Sequence, residues 1–225
     1  MLFFLNFEIE ITNTLECRKL QRYFCVISKQ KLEMKEMLEV IRNRRSIRKY
    51  KNIEPDTKLI KEVLQAASMA PSAGNSQPWE FTIIKGEFRE KICHEFYNFA
   101  KDYIPTASYI PEEKKKMMLK YAENFGGAPY HIIVSYPNFD DDVKREEALK
   151  ASSAAIQNLL LQANDIGLAT VWIGSRLNHS EKVKSILGLS NNRKIAGIIP
   201  IGYADMELAP TPREEPESKS RWLGF

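Results

Sequence analysis

Arg42, Arg44, Arg45, Arg48 and Lys49 crowd into eight residues, with Ser46 and Tyr50 interleaved. A guanidinium presents a planar fork of N–H donors that matches phosphate or carboxylate oxygens, and the Ser46 hydroxyl can add another donor. The pattern suits an anion. Two plainer accounts stand beside it: cations at a helix C-terminus are favoured by the helix dipole, and a charge run is commonly a solvated face. A nucleic-acid surface would bring a recognition helix or stacking aromatics, which this single cluster lacks.

The second constellation is Ala70-Pro71-Ser72-Ala73-Gly74-Asn75-Ser76-Gln77-Pro78-Trp79. Its prolines and glycine fix an irregular loop, and its Ser, Asn and Gln side chains offer both donors and acceptors. A planar heterocycle with alternating carbonyls and ring nitrogens needs that mixture beside an apolar wall. An ordinary helix-to-strand turn with Trp79 in the core fits the composition equally well. Elsewhere the polar residues are less suggestive. His94, His131 and His179 lack metal-ligand spacing. Cys93 lies on an expected helix with no basic partner marked by sequence, so it is not read as a thiolate nucleophile.

Mixed helices and strands must position these segments. Met37, Leu38 and Ile41 mark a first helix from Met34 to about Arg45. Asp56 caps a second, with an apolar stripe of Leu59, Ile60, Val63, Leu64 and Ala67, and Pro71 stops it. Further helices are expected over 87–100, 112–123 and about 145–165, the last with a small-residue face of Ala148, Ala151, Ser152 and Ala155 and a cap at Gly167. Strands are expected over 81–84, 131–135, 169–173 and 196–201. They are nearly all apolar, which predicts one sheet covered on both faces.

The 225 residues carry 44% hydrophobic and 28% charged side chains, an ordinary globular balance for one domain. The 33 basic residues exceed the 29 acidic ones by only four, too little to imply a nucleic-acid partner. No run of about 18 apolar residues predicts a membrane span. Three cysteines make neither a disulfide scaffold nor a zinc cage, and a reducing cytoplasm fits best. Residues 1–33 are expected to be an appendage, with 34–225 as the functional domain; alternatively Phe7, Ile9 and Ile11 alternate as an edge strand of that domain.

Taken together, Arg44-Arg45-Ser46-Ile47-Arg48 and the loop from Ala70 to Trp79 resemble the FMN-dependent nitroreductase family. The similarity continues through Phe125 to Pro129, Ala154 to Leu160, Gly167 to Gly174 and Ile199 to Tyr203, covering about 35 to 213 in order. The resemblance implies an α+β fold, a three-layer α-β-α sandwich whose mostly antiparallel sheet is flanked by helices. It also implies a homodimer with FMN at the interface. Arg44, Arg45, Ser46 and Arg48 would then grip the ribityl phosphate. Pro71, Ser72, Ala73 and Asn75 would come from the partner chain to the isoalloxazine ring, and Trp172, Ile173 and Gly174 would approach its other side. The small-residue face would let two helices meet across the dimer, unless it is simple core packing.

NAD(P)H would be the electron donor and a nitroaromatic, quinone or similar small molecule the acceptor, by a ping-pong mechanism. The flavin would carry the chemistry, so no catalytic side chain is expected. A non-catalytic flavin carrier, or a related reaction such as dehalogenation, is the alternative. The resemblance implies no nucleic-acid or membrane partner. Family members usually place a basic residue just before a C-terminal proline as another phosphate ligand; here Glu215 precedes Pro216, and Arg213 stands two places earlier. Arg213 remains a candidate ligand, ranked by sequence below Arg48 because Glu214 and Glu215 adjoin it. Tyr103, Tyr109, Met117, Met118, Tyr121 and Phe125 either line a substrate pocket or pack a helical lid.

Overall fold

Apolar residues at every position of a strand require cover on both faces, and the sheet receives it. The computed structural model describes residues 37–224. Its four strands are β1 (Glu80–Ile84), β2 (Tyr130–Pro137), β3 (Ala169–Thr170) and β4 (Arg193–Gly202). They run in the order β1-β2-β4-β3, every neighbouring pair antiparallel. Along β2, Ile132 and Val134 join one buried cluster while Ile133 joins another, the period-2 alternation of a strand between two layers.

The first cluster is completed by Ile60, Val63 and Ala67 of α2 (Thr57–Ser68) and by Ile156 and Leu159 of α5 (Asp142–Asp165). The second receives Ile92 of α3 (Gly86–Tyr103) and Val183 of α6 (Glu181–Leu187). Helix α4 (Glu112–Asn124) packs on α3. The result is the expected three-layer α-β-α sandwich around an antiparallel sheet.

The chain divides into two compact units, Met1–Arg42 and Asn43–Phe225. The sheet and the helices from α2 onward belong to the second. The expected appendage over 1–33, with Cys17, Cys25 and the alternative strand at Phe7, Ile9 and Ile11, lies outside the described residues. Helix α1, described over 37–43, ends before Arg44 rather than reaching Arg45. Helix α5 starts three residues earlier than expected, because the Asp141 carboxylate accepts the Lys144 N–H at 3.0 Å. Helix α6 was not anticipated, although Ser180 caps it and Gly188 ends it in the left-handed region.

Of the two readings of the α5 small-residue face, core packing is the one the structure supports. Ala148, Ala151, Ser152 and Ala155 are buried within this one chain, so the face packs its own core and is not open to a second helix.

A bulge shapes one end of the sheet. Val134 pairs with Gly197 and Ser135 with Ile195, leaving Ala196 unopposed. The Ala196 carbonyl accepts the Trp172 indole N–H at 3.2 Å. A Cβ on Gly197 would lie 2.3 Å from that indole nitrogen, so glycine makes the room. With Trp172 turned to the bulge, regular pairing of β3 stops at Thr170, shorter than the 169–173 expected; one bridge, Ile173 to Ile198, continues the edge.

Candidate functional site

The arginine segment is extended, held by backbone bonds to three separate parts of the fold. Ile47 N–H donates to the Thr170 carbonyl at 3.0 Å, Tyr50 N–H to Gly126 at 2.9 Å, and Asp205 N–H to Lys49 at 2.9 Å. The buried Tyr50 hydroxyl donates to the Ile47 carbonyl at 2.7 Å, and burial raises its pKa. Gly126 sits at φ +68°, and a Cβ there would lie 2.1 Å from the Arg48 carbonyl oxygen. Only glycine permits that approach.

So fixed, the segment parts two hollows. Ser46 and Arg48 border a cleft of about 890 Å³, whereas Arg44 and Arg45 border an adjoining hollow of about 380 Å³. Met206 and Leu208 line both, so the two are neighbours across one thin wall. The sequence expectation placed all four polar residues on a single phosphate; the structure separates them into two pairs.

The electrostatics favour an anion. Burial lowers the Arg44 pKa first, and the nearby guanidinium groups of Arg213 and Arg45 lower it further. Arg213, distant in sequence and exposed, therefore stands near Arg44. Among the described residues no carboxylate lies within ion-pair distance of Arg44, Arg48 or Arg213. Two of them bond locally: Arg48 donates to the Ser46 carbonyl at 3.3 Å and Arg213 to the Pro212 carbonyl at 3.2 Å. Glu214, which by sequence should weaken Arg213, is held by Lys219 at 2.6 Å.

The larger cleft has an apolar wall. Phe96, Ile104, Met117, Met118 and Ile173 line it, with Tyr121 beside them. The Tyr121 hydroxyl is buried without a hydrogen-bond partner, and burial drives its pKa well up, against the pull of Arg48. Of the six residues weighed over 101–125, Met117, Met118 and Tyr121 face the cleft. Phe125 is wholly buried, stacked on Phe96 at 4.4 Å between ring centres, while Tyr103 and Tyr109 bond each other at 3.0 Å. Trp172 and Gly174 flank Ile173 without lining the cleft. Sequence reasoning missed Phe96, Ile104, Met206 and Leu208, whose apolar character carries no motif.

The loop after α2 is built for display. Gly74, Asn75 and Gln77 all adopt positive φ, at 57°, 55° and 44°. Non-glycine residues in that region store strain that the surroundings must hold. Ser72 Oγ accepts the Gln77 N–H at 3.0 Å, and Arg193 donates to the Pro78 carbonyl at 3.1 Å, tying the loop to β2 through Ser135. Pro71, Ala73 and Asn75 are exposed and Ser72 is half-buried. None of the four lines the cleft of their own chain.

The remaining candidates are inert. Arg89 Nη1 stands 3.9 Å from Cys93 Sγ, a basic partner the sequence did not reveal. Burial nevertheless dominates and pushes the thiol up to about 11. His131 is fully buried, edge-on to Phe125 at 4.6 Å, with both ring nitrogens unpartnered; burial pushes its pKa down to about 3. Among the described residues, no helix is long and apolar enough to cross a membrane.

An elongated ligand with an anionic end and a flat apolar body suits this donor set. Its anion would meet Arg44 and Arg213, and its body the cleft.

Comparison with known proteins narrows the class. The sequence model of the Nitroreductase family matches residues 41–203. The Bacillus subtilis (strain 168) protein YfhC, provisionally named an NAD(P)H nitroreductase, is 30% identical over 184 residues, 81% of this chain and 88% of its own. A crystal structure of a nitroreductase-like family protein from Bacillus cereus superposes with a TM-score of 0.69 at 28% identity, covering 84% of this chain and 96% of that one. The fold extends to an iodotyrosine deiodinase crystallised with FMN and 3-iodo-L-tyrosine. There the TM-score is 0.69 at 21% identity, over 84% of this chain and 100% of that one.

Proposed function

The chain belongs to the Nitroreductase family, and from that premise we propose that it is an FMN-dependent oxidoreductase taking electrons from NAD(P)H and passing them to a small acceptor, a nitroaromatic or quinone above all. One observation carries the reading: Arg44, Arg48 and Arg213 have no carboxylate partner among the described residues; Arg48 borders a cleft of about 890 Å³ with an apolar wall, and Arg44, with Arg213 near it, borders the hollow adjoining that cleft. Bound FMN would supply the redox chemistry, which no side chain of the cleft can perform.

The residues present would bind and orient it. Arg44 and Arg213 would neutralise the phosphate, with Arg45 adding to the local positive potential. Ser46 and Arg48 would donate on the cleft side of the wall, and Ile173 with Met117 and Met118 would shield the ring from water. Trp172, locked to Ala196, would fix where Ile173 stands, with Gly174 leaving room after it.

Pro71, Ser72, Ala73 and Asn75 would act in trans. Their loop is strained, anchored and exposed, yet absent from its own chain's cleft, which supports a homodimer in which each loop completes the partner's site. Closed two-fold dimers are the commonest assembly. We place the enzyme in a reducing cytoplasm.

The purified full chain should be yellow. Denaturation should release FMN, not FAD, on a chromatographic column, since the arginines would clamp a terminal phosphate. NADH or NADPH should bleach the bound flavin without oxygen, and a nitroaromatic or quinone should restore its colour. A colourless protein that cannot be reconstituted with FMN defeats the proposal. Faster recovery with a halogenated phenol than with any nitro compound or quinone would redirect it to dehalogenation.

A further inference from the structure

We propose that Lys120 selects acceptors carrying a negative charge, so that the preferred substrates are anionic aromatics such as ring carboxylates rather than neutral ones. The proposal rests on the flavin reading above and sharpens it. Lys120 lies on α4, exposed at the border of the large cleft, one residue before Tyr121 and three after Met117. The other cations lining the cleft are engaged, as is Lys115 beside it; Lys116, without an ion pair among the described residues, lies outside the cleft lining. Lys49 is paired with Asp205 at 2.7 Å, Arg48 donates to the Ser46 carbonyl, and Lys115 is held by Glu112 and by the Pro105 carbonyl. Among the described residues Lys120 makes no ion pair or hydrogen bond.

Charge arithmetic along the lining agrees. Arg48, Lys49 and Lys120 face one carboxylate, Glu123, and with Lys49 neutralised by Asp205 a single positive excess remains. Glu123 stands three residues beyond Lys120 on the same helix, a spacing at which the two could pair, yet no ion pair joins them. The ammonium therefore stays available. Beneath it the wall is made of Met117, Met118 and Phe96, polarisable and flat surfaces suited to an aromatic ring. An acceptor carboxylate approaching an anionic cofactor meets repulsion, and a cation at the rim offsets it. Lys120 would bind the carboxylate while the ring lies over the methionines. No covalent step is asked of it.

The test uses the full-length, FMN-loaded protein with saturating NAD(P)H and two acceptors of one shape, 4-nitrobenzoate and 4-nitrobenzamide. The readouts are kcat/KM for each and the dissociation constant of each from its perturbation of the flavin spectrum. The wild type should prefer the carboxylate by about five- to tenfold, through KM and binding rather than kcat, a charge-assisted contact weakened by exposure. Lys120→Gln should bring the ratio close to one, and Lys120→Arg should largely keep it. Raising salt to about 0.5 M should shrink the wild-type preference and leave the ratio in Lys120→Gln unmoved. A wild-type ratio near one, or a ratio that survives in Lys120→Gln, overturns the assignment while leaving the oxidoreductase reading intact. A protein whose FMN is not bleached by either nicotinamide overturns both.

Discussion

Arg44 and Arg213 lie far apart in the chain and meet only in the fold, where burial and then the Arg213 guanidinium disfavour the charge on Arg44. That cost is offset when an anion arrives, so these two should govern phosphate recognition. Arg44→Ala and Arg213→Ala should each weaken FMN by about ten- to a hundredfold, as expected for loss of a hydrogen bond to a charged group. Riboflavin, which lacks the phosphate, should bind the variants and the wild type alike. Arg48→Ala should lower affinity for both flavins, because Arg48 borders the cleft rather than the smaller hollow. Fluorescence titration of the apo-proteins checks this, and the order places Arg213 above the rank its acidic neighbours suggested. The arginine motif was legible, and the resemblance made Arg213 a candidate beside it; its closeness to Arg44 was not, because nothing local announces a contact between distant segments. His131 gives a second residue-scale expectation. Its folded pKa is depressed to about 3 while the unfolded value is near 6.5. The unfolded chain thus binds the extra proton first, and stability falls as pH drops from about 6.5 towards 3, by at most about 1.4 kcal/mol per pH unit. His131→Leu should remove that slope and be no less stable at pH 7, since both ring nitrogens are buried without partners. Urea midpoints at pH 7 and pH 5 for the two proteins decide it.

Among the elements, the short turn after α4 is the least replaceable. Gly126 combines positive φ with a backbone contact that a Cβ would invade. Because the obstructing atom is the Arg48 carbonyl, no rotamer change relieves it. Gly126→Ala should cost roughly 2–4 kcal/mol and lower Tm by about 5–15 °C, and should also displace Arg48 and weaken FMN. Calorimetry with a flavin titration tests both halves; a variant of normal Tm would contradict the geometry. Gly-Gly before Ala-Pro was visible in the sequence as part of a family motif, but its partner was not. Strands β2 and β4 were readable because their apolar runs are long. Strand β3 was overread, since Trp172 looks like one more strand residue until the bulge at Ala196 claims its indole. Helix α6 carried its own signals at Ser180 and Gly188, but it is too short for periodicity to show.

For the whole molecule, the proposed dimer makes a further prediction. If the loop from Pro71 to Asn75 completes the partner's site, Asn75→Ala should reduce flavin affinity although Asn75 lies outside its own chain's cleft. Mixing Asn75→Ala with Arg44→Ala subunits should restore about one normal site in each heterodimer. Sedimentation of a flavin-loaded monomer, or mixtures no better than their components, would refute the arrangement. The layered fold was legible because amphipathic spacing reports which face is covered. The assignment of the α5 small-residue face was not, because alanines pack equally well against a neighbour in the same chain or in another.

The seam at residues 47–50 has one more consequence, for the order in which the protein is made. This stretch is made before any of its backbone partners, Gly126, Thr170 and Asp205. It must wait until each of these has been made. Closing such distant loops is slow, and the contacts reward the chain only after the sheet has formed. The arginine segment should therefore lock in last during refolding, and flavin fluorescence should be quenched in a later phase than the one in which far-ultraviolet dichroism recovers. Until then the earliest-made part of the site is its last to be finished.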